Sequence, residues 1–160
     1  MKSFLLYKNS PTVKWSLVPD NCFYIGELPE GYDLAISPGD SNIVILDCDK
    51  KNNKDGYKFI PSNILQELEE SFWYFTKSGG AHFFVKYCGN KILKNCSTQF
   101  GLDLRRGSVP GNAGGYVKYN GTTPVNEIES LIKSSSEQLN EFLESLFLGV
   151  NYTDEKEITE

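Results

Sequence analysis

The sequence predicts an α+β fold in which a mixed β-sheet is flanked by helices. The first observation is an apolar run at residues 43–46, rich in β-branched side chains and bounded by turn-forming residues at 38–40 and 50–52, as expected of a buried central strand. The second is a set of other strand-like segments before and after it. The third is helical spacing of apolar residues after Pro61 and again near the end of the chain.

The length of the chain predicts a single domain. Its 160 residues, 39% of them hydrophobic, suffice to bury one core. We expect one catalytic domain over residues 1–150, followed by a flexible acidic tail at 151–160. No apolar run approaches the roughly 20 residues of a membrane span, so a soluble, cytoplasmic protein without a membrane partner is expected.

Four further segments complete the predicted sheet. They are rich in aromatic and β-branched residues, which favour strands. These segments are residues 32–36, 82–87, 102–104 and 116–119.

The predicted helices are one central helix and two near the end of the chain. Ile64, Leu65, Leu68 and Phe72 would form the apolar stripe of a helix that begins after Pro61.

Thr123-Pro124 resembles the cap and first turn of the second helix, and Ser134 with Glu137 fits a capping box for the third. The stripe of this third helix is predicted to pack in the core. It consists of Leu139, Phe142, Leu143 and Leu146.

The four cysteines form no C-x-x-C pair and indicate neither a disulfide framework nor a zinc ribbon. Cys88 and Cys96 could share a metal with His82, but their spacing matches no common zinc pattern. Free, buried thiols are therefore expected at all four positions, Cys22, Cys48, Cys88 and Cys96.

The net charge of −5 is unevenly distributed along the chain. Residues 123–160 hold nine acidic residues and two lysines, a balance of −7, which leaves +2 for residues 1–122. Eleven of the 16 basic residues lie between Lys50 and Lys118. This bias is compatible with nucleic-acid binding and equally with an ordinary solvated surface.

Two carboxylates follow the apolar run, in Asp47-Cys48-Asp49. Residues two apart in a strand share a face, so Asp47 and Asp49 would project together and repel each other. A bound Mg²⁺ or Mn²⁺ would remove that repulsion. Surface acids unrelated to metal are the alternative interpretation.

A glycine turn, Ser78-Gly79-Gly80-Ala81-His82, separates two aromatic-rich segments. Its backbone N–H groups could approach phosphate oxygens closely. The alternative is a simple hairpin with a hydrogen-bonded His82, which is the single histidine of the chain.

A third carboxylate, Asp103, stands between leucines and is followed by Arg105-Arg106, whose guanidinium groups could clamp phosphates. Three carboxylates, a histidine turn and nearby cations are the parts that two-metal phosphoryl transfer requires. A strand and a flexible loop would be the alternative.

These motifs resemble, in order, those of the archaeo-eukaryotic primase superfamily, and within it the bifunctional primase-polymerase domain of plasmids and phages. The acidic pair after a hydrophobic strand, the serine-glycine-glycine-x-histidine turn and the third aspartate at Asp103 all match. Arg105-Arg106-Gly107 and Gly114-Gly115-Tyr116-Val117 are also similar to the pattern of the family. The resemblance covers residues 36–119.

The resemblance implies an RRM-like primase-polymerase core and a nucleotidyltransferase that acts on nucleoside triphosphates and template DNA during replication. Asp47, Asp49 and Asp103 would be the catalytic metal ligands, with Mg²⁺ or Mn²⁺ as cofactor. The nucleotide-binding residues would be Ser78, Gly79, Gly80, His82, Arg105, Arg106 and Lys118. A replicative helicase would be a partner, although the chain lacks a recognisable zinc stem and an attached helicase domain.

Two other functions are compatible with parts of the pattern. A nucleotide-sugar glycosyltransferase also uses an Asp-x-Asp at a strand end, but this leaves the histidine turn and Asp103 without a role. A non-catalytic module that binds nucleotide or single-stranded nucleic acid in replication is the other alternative, and the complete carboxylate triad argues against it.

Overall fold

The computed structural model describes residues 1–148 and has ten strands and two α-helices in that range. The predicted tail at 151–160 and the last two residues of the predicted domain lie outside the described residues. The strands are β1 (Lys2–Tyr7), β2 (Ser10–Pro11), β3 (Tyr32–Ser37), β4 (Ile43–Cys48), β5 (Lys50–Lys51), β6 (Lys54–Asp55), β7 (Trp73–Phe75), β8 (Ala81–Lys86), β9 (Leu102–Arg106) and β10 (Val117–Tyr119). The helices are α1 (Ser62–Glu70) and α2 (Glu137–Phe147).

The α+β class is confirmed, whereas the expectation of one mixed sheet is wrong. The strands form two four-stranded sheets, β7-β8-β4-β9 and β10-β3-β1-β2, and a small hairpin of β5 and β6. All pairings between these strands are antiparallel. The reason is that the chain reverses at the turn between β7 and β8, so that β8 runs antiparallel to both β7 and β4.

The central strand is β4, which is predicted correctly from its apolar run and pairs with both β8 and β9. Successive side chains of β4 point to opposite faces of the sheet. Val44, Leu46 and Cys48 belong to the core cluster that includes α1 and α2, while Ile43 and Ile45 face the cluster shared with the second sheet. The molecule is therefore layered as helices, first sheet and second sheet, with β4 buried on both faces.

Helix α1 is confirmed after Pro61, and Ile64 and Leu68 are its fully buried residues. Phe72 does not belong to its stripe. The helix ends at Glu70, and Phe72 packs in the other core cluster, where its carbonyl accepts the N–H of Phe84.

The predicted helix at Thr123-Pro124 is wrong. Two short 3-10 turns, Val125–Glu127 and Glu129–Leu131, occupy this segment. In a 3-10 turn, residues three apart eclipse each other, and this brings Val125 and Ile128 together into the core without an α-helix.

The last helix is confirmed, but it begins later than the predicted capping box. Its cap is Ser136, whose hydroxyl accepts the N–H of Leu139 at 3.2 Å. Ser134 does not cap it, because residues 133–135 pair with the end of β8 through Lys86. The predicted apolar stripe does pack in the core, with Leu139 and Leu143 fully buried and Phe142 and Leu146 partly buried.

All four cysteines are free thiols, as expected, but only Cys48 and Cys96 are buried. Cys22 and Cys88 are exposed, so the expectation of four buried thiols is wrong for these two. Neither helix within residues 1–148 combines the length and hydropathy that a membrane span requires.

Candidate functional site

The candidate site is a cleft of about 370 Å³ where the carboxyl end of β4 meets the edge of the second sheet. Its lining comes from both sheets and from the turn before β8. The residues that line it are Asp47, Asp49, Lys51, Thr76, Lys77, Ser78, His82, Arg105, Tyr116, Val117, Lys118 and Asn120.

The register of the first sheet aligns the polar side chains in one row across its four strands. Asp47 on β4 lies opposite His82 on β8 and opposite Asp103 on β9, and Tyr74 on β7 lies opposite His82 in turn. Directly opposed residues share a face of the sheet and have close Cβ atoms. The row therefore forms one polar strip on the face that is otherwise occupied by Ile43 and Ile45.

The three carboxylates predicted as metal ligands converge. Asp47, Asp49 and Asp103 each offer an oxygen within 4.8 Å of the others, and all three are half-buried. Hard carboxylate oxygens are the ligands that Mg²⁺ and Mn²⁺ prefer. Among the described residues this is the one cluster of histidine, cysteine and acidic side chains with such proximity.

The electrostatics of the triad favour a bound cation. The pKa of Asp49 is raised by burial and by repulsion from Asp47 and Asp103. Burial also raises the pKa of Asp103, although the backbone N–H of Thr98 donates to its carboxylate at 2.9 Å. A divalent cation among these groups would stabilise their charged forms, so the residues present fit the ion.

Asp47 differs from its two neighbours. Burial alone would raise its pKa, but the hydrogen bond and the charge of His82 outweigh that effect and lower it. His82 Nε2 lies 3.3 Å from Asp47 Oδ1. Asp47 is therefore held as a carboxylate at neutral pH and is available as a ligand.

His82 is buried, and its ring bonds to side chains on both sides. Its Nδ1 lies 2.6 Å from the hydroxyl of Tyr74, and that hydroxyl also lies 3.0 Å from the carbonyl oxygen of Lys118 on the second sheet. The structure therefore contains the hairpin with a hydrogen-bonded histidine, and the partners of that histidine are the side chains of Tyr74 and Asp47. Tyr74 is a residue that the sequence interpretation missed, because no motif marks it.

The glycine turn approaches the end of β4 closely. Thr76 N–H donates to Gly80 at 2.9 Å and Gly79 N–H donates to Thr76 at 3.1 Å, which closes a tight hairpin. A Cβ on Gly80 would lie 2.3 Å from the carbonyl oxygen of Cys48. Gly80 thus lets the turn pack against the backbone between Asp47 and Asp49.

The two glycines of the turn lie outside the cleft lining, and Ser78 lines it. Gly79 has a positive φ of 89° and an exposed position. Their role in the described structure is to shape the turn that presents Ser78 and Lys77.

The two adjacent arginines point to opposite faces of β9, because side chains alternate along a strand. Arg105 lines the cleft and its Nη2 lies 3.4 Å from Asp103 Oδ2. Arg106 does not reach the cleft; its Nη1 donates to the carbonyl of Leu93 at 3.5 Å, and burial lowers its pKa.

Lys118 reaches the cleft from β10 of the second sheet. Its Nζ donates to Asn9 at 2.6 Å and lies 3.4 Å from Asp33 Oδ2. Two further cations, Lys51 and Lys77, were missed as site residues; Lys51 stands two positions after Asp49, and Lys77 lies within the glycine turn.

The fold and the site define an α+β protein with a carboxylate triad beside a cleft between two antiparallel sheets. Asp47 and Asp49 line this cleft, whereas Asp103 adjoins them outside its lining. Comparison with models of known protein families gives no match, and comparison with curated proteins gives none either.

Removal of the Tyr74 hydroxyl tests whether it orients the histidine. We expect Tyr74→Phe to shift the imidazole ¹⁵N resonances of His82 and to weaken metal affinity roughly tenfold, as loss of an outer hydrogen bond does in metal sites. Since the chain has one histidine, these resonances need no assignment. The measurements are ¹⁵N NMR and Mn²⁺ titration.

The matched control is Tyr119→Phe. Its ring lies 5.1 Å from that of Tyr74, and its hydroxyl donates to Thr123 at 2.5 Å, away from the histidine. If both variants altered the imidazole resonances and the metal affinity equally, an orienting role for Tyr74 would be rejected.

Proposed function

We propose that the protein is a metal-dependent primase-polymerase, a nucleotidyltransferase that joins nucleoside triphosphates on a DNA template during replication. The observation that carries the proposal is the convergence of Asp47, Asp49 and Asp103 within 4.8 Å of one another. Two of these, Asp47 and Asp49, line a cleft that His82 and several cations also line. The assignment of an RRM-like primase-polymerase core belongs to this proposal. It is supported by the four-stranded antiparallel sheet with α1 and α2 in the core cluster of one face.

The three aspartates would hold Mg²⁺ or Mn²⁺. When bound, these ions would activate the attacking hydroxyl and stabilise the charge that develops on the phosphoryl group. Asp47 lies at the centre of the polar row, between His82 and Asp103. The side chains of two neighbouring strands, β8 and β9, therefore flank the Asp47 carboxylate and orient it.

The cations on the other walls of the cleft would bind the triphosphate. Lys51, Lys77 and Arg105 surround the carboxylate end, and Ser78 offers a hydroxyl beside them. Arg105 is held by Asp103, which fixes its guanidinium group without consuming all of its five donors. Lys118 would add a cation from the second sheet, so a bound nucleotide would bridge the two sheets.

His82→Ala is expected to weaken triphosphate binding more than template binding. The ring lines the cleft and holds Asp47, a proposed ligand of the metal that would bind the triphosphate. A hydrogen bond to a charged group contributes about 1.5–3 kcal/mol, so its loss corresponds to roughly tenfold or more in Kd. Separate titrations with a nucleoside triphosphate and with single-stranded DNA measure the two losses. Equal losses for both ligands would contradict the assignment.

The experiment that tests the function is extension of a labelled primer on a defined DNA template, with ribonucleotides or deoxyribonucleotides and with Mg²⁺ or Mn²⁺. Template-dependent extension supports the polymerase. Nucleotide and DNA binding without extension would favour the non-catalytic module. Transfer from a nucleotide-sugar without template dependence would favour the glycosyltransferase.

The proposed partners follow from the same function. They are nucleoside triphosphates and template DNA in the cleft, and a replicative helicase in a phage or plasmid replication system. Co-sedimentation of the protein with a replicative helicase would test the last of these.

A further inference from the structure

A second groove lies on the helix-facing side of the first sheet, at its β7 edge. It has a volume of about 280 Å³, and its walls come from β7, α1, the segment after Asp49 and the glycine turn. We call it the aromatic groove. The residues that matter for its chemistry are Lys50, Tyr57, Glu69, Trp73 and Phe75.

The aromatic side chains of this groove form a stepped stack. Trp73 lies parallel to the buried Phe83, with ring centroids 5.7 Å apart and an interplanar angle of 27°. Phe75 meets Trp73 edge-on at 4.8 Å and is 62% exposed. Most of the Phe75 ring is therefore open to solvent on the edge strand β7, where the flat ring of a base can stack.

Exposed lysines continue from this groove to the catalytic cleft. The segment 50–58 contains four lysines, all exposed, and one aspartate, Asp55. Lys50 lines the aromatic groove, whereas Lys51, the next residue, lines the cleft. The glycine turn repeats this arrangement, because Gly79 lines the groove and Lys77 lines the cleft.

Proteins bind single-stranded nucleic acid with two elements, exposed aromatic rings and a row of cations beside them. Bases stack on the rings, and the cations follow the phosphate backbone. A protein partner would need an apolar counterpart to Phe75 but no lysines. The lining itself carries one lysine, Lys50, and one acid, Glu69, so the excess of cations lies in segment 50–58, which leads toward the cleft.

We propose that the aromatic groove binds single-stranded DNA, with a base stacked on Phe75, and that the lysines of segment 50–58 guide the strand over the β5-β6 hairpin into the cleft. This inference rests on the proposed function, because it assigns the path of the template strand. It adds a binding surface that is separate from the carboxylate triad and that needs neither metal nor nucleotide.

The test measures binding of a fluorescein-labelled oligo(dT) by anisotropy, at low salt and without metal or nucleotide. Phe75→Ala should weaken binding roughly tenfold, within the range of one lost stacking contact. Phe75→Tyr should retain the affinity, since it keeps the ring. Because Phe75 is mostly exposed, its removal should leave the circular dichroism spectrum unchanged.

Tyr7→Ala is the matched control. Tyr7 is a 44% exposed aromatic residue that packs against Tyr32 and lies beside Lys8, on the other sheet. Its removal should leave oligo(dT) binding unchanged. An abasic oligodeoxynucleotide of equal length should bind wild type and Phe75→Ala alike, because it has no base to stack.

Tryptophan fluorescence gives an independent measurement. The chain has two tryptophans, and Trp15 is 1% exposed, so quenching by oligo(dT) would come from Trp73. We expect oligo(dT) to quench the fluorescence of the wild-type protein but not that of Trp73→Phe. Binding that is insensitive to Phe75→Ala, or equally sensitive to Tyr7→Ala, would overturn the proposal.

The two proposals can fail separately. Asp47→Asn should still bind oligo(dT), since Asp47 is no part of the aromatic groove. Primer extension that survives Phe75→Ala with unchanged affinity for the template would reject the groove and leave the enzyme. Intact oligo(dT) binding with no extension under any condition would reject the enzyme and leave the groove.

Discussion

Asp47→Asn is expected to lower nucleotide incorporation by roughly 10³-fold or more while leaving the fold intact. Asp47 is the central member of the carboxylate triad, and its charge is maintained by His82 at 3.3 Å. Metal ions supply several kcal/mol of charge stabilisation in such reactions, and a tenfold change in rate corresponds to about 1.4 kcal/mol. Primer-extension rates in Mg²⁺ and Mn²⁺ measure the loss.

A second measurement separates metal binding from catalysis. Mn²⁺ should raise the Tm of the wild-type protein, because a ligand that binds the native state stabilises it. The same addition should raise the Tm of Asp47→Asn much less. Glu141→Gln, which removes one exposed carboxylate from α2, is the charge-matched control and should behave as wild type.

Wild-type incorporation by purified, folded Asp47→Asn would exclude the triad as the catalytic centre. An equal Mn²⁺ response in both proteins would exclude it as the metal site. The two results are independent. A non-catalytic metal-binding module would incorporate no nucleotide in any form, but its Mn²⁺-dependent rise in Tm would still be lost in Asp47→Asn.

Gly80→Ala is expected to have the second largest effect. Its added Cβ would lie 2.3 Å from the carbonyl oxygen of Cys48 and 3.2 Å from Thr76 Oγ1. The contact is with backbone, so the turn must move away from the end of β4. We expect a loss of roughly 1–3 kcal/mol in the free energy of unfolding, as for overpacking in a tight site. Incorporation should fall at least roughly tenfold, because a displacement of about 1 Å can cost more than this.

Gly79→Ala separates this steric effect from backbone strain. Its Cβ would meet no atom within 4 Å, but its φ of 89° is unfavourable for alanine by roughly 1–2 kcal/mol. Urea unfolding and primer extension of both variants give the comparison. If Gly79→Ala impaired incorporation as much as Gly80→Ala, the effect of Gly80→Ala could not be attributed to its close approach to Cys48.

Local patterns predicted several parts of this site well. The apolar run at 43–46 predicted β4, and alternation along the strand predicted that Asp47 and Asp49 would share a side, where both line the cleft. The same alternation applied to β9 would have separated Arg105 from Arg106. The prediction that both arginines clamp phosphates was therefore inconsistent with the alternation of side chains along a strand.

The boundaries near the end of the chain were less predictable. Ser134 and Glu137 fit a capping box, yet Ser136 caps α2 because the preceding residues hydrogen-bond to the end of β8. Apolar residues at 125 and 128 are compatible with an α-helix and with a 3-10 turn. Both outcomes depend on contacts with distant strands.

The sequence by itself determined the α+β class, the central strand, both helices of the core and the identity of the three carboxylates, because these depend on local periodicity and on residue type. The tertiary structure alone decided that the strands form two antiparallel sheets and that the cleft lies between them. It also decided the register that aligns Tyr74, His82, Asp47 and Asp103 in one row. Register is a property of paired strands, and a shift of one residue would turn every side chain to the opposite face. No local pattern at Asp47 or Asp103, which are 56 positions apart, could have fixed their distance.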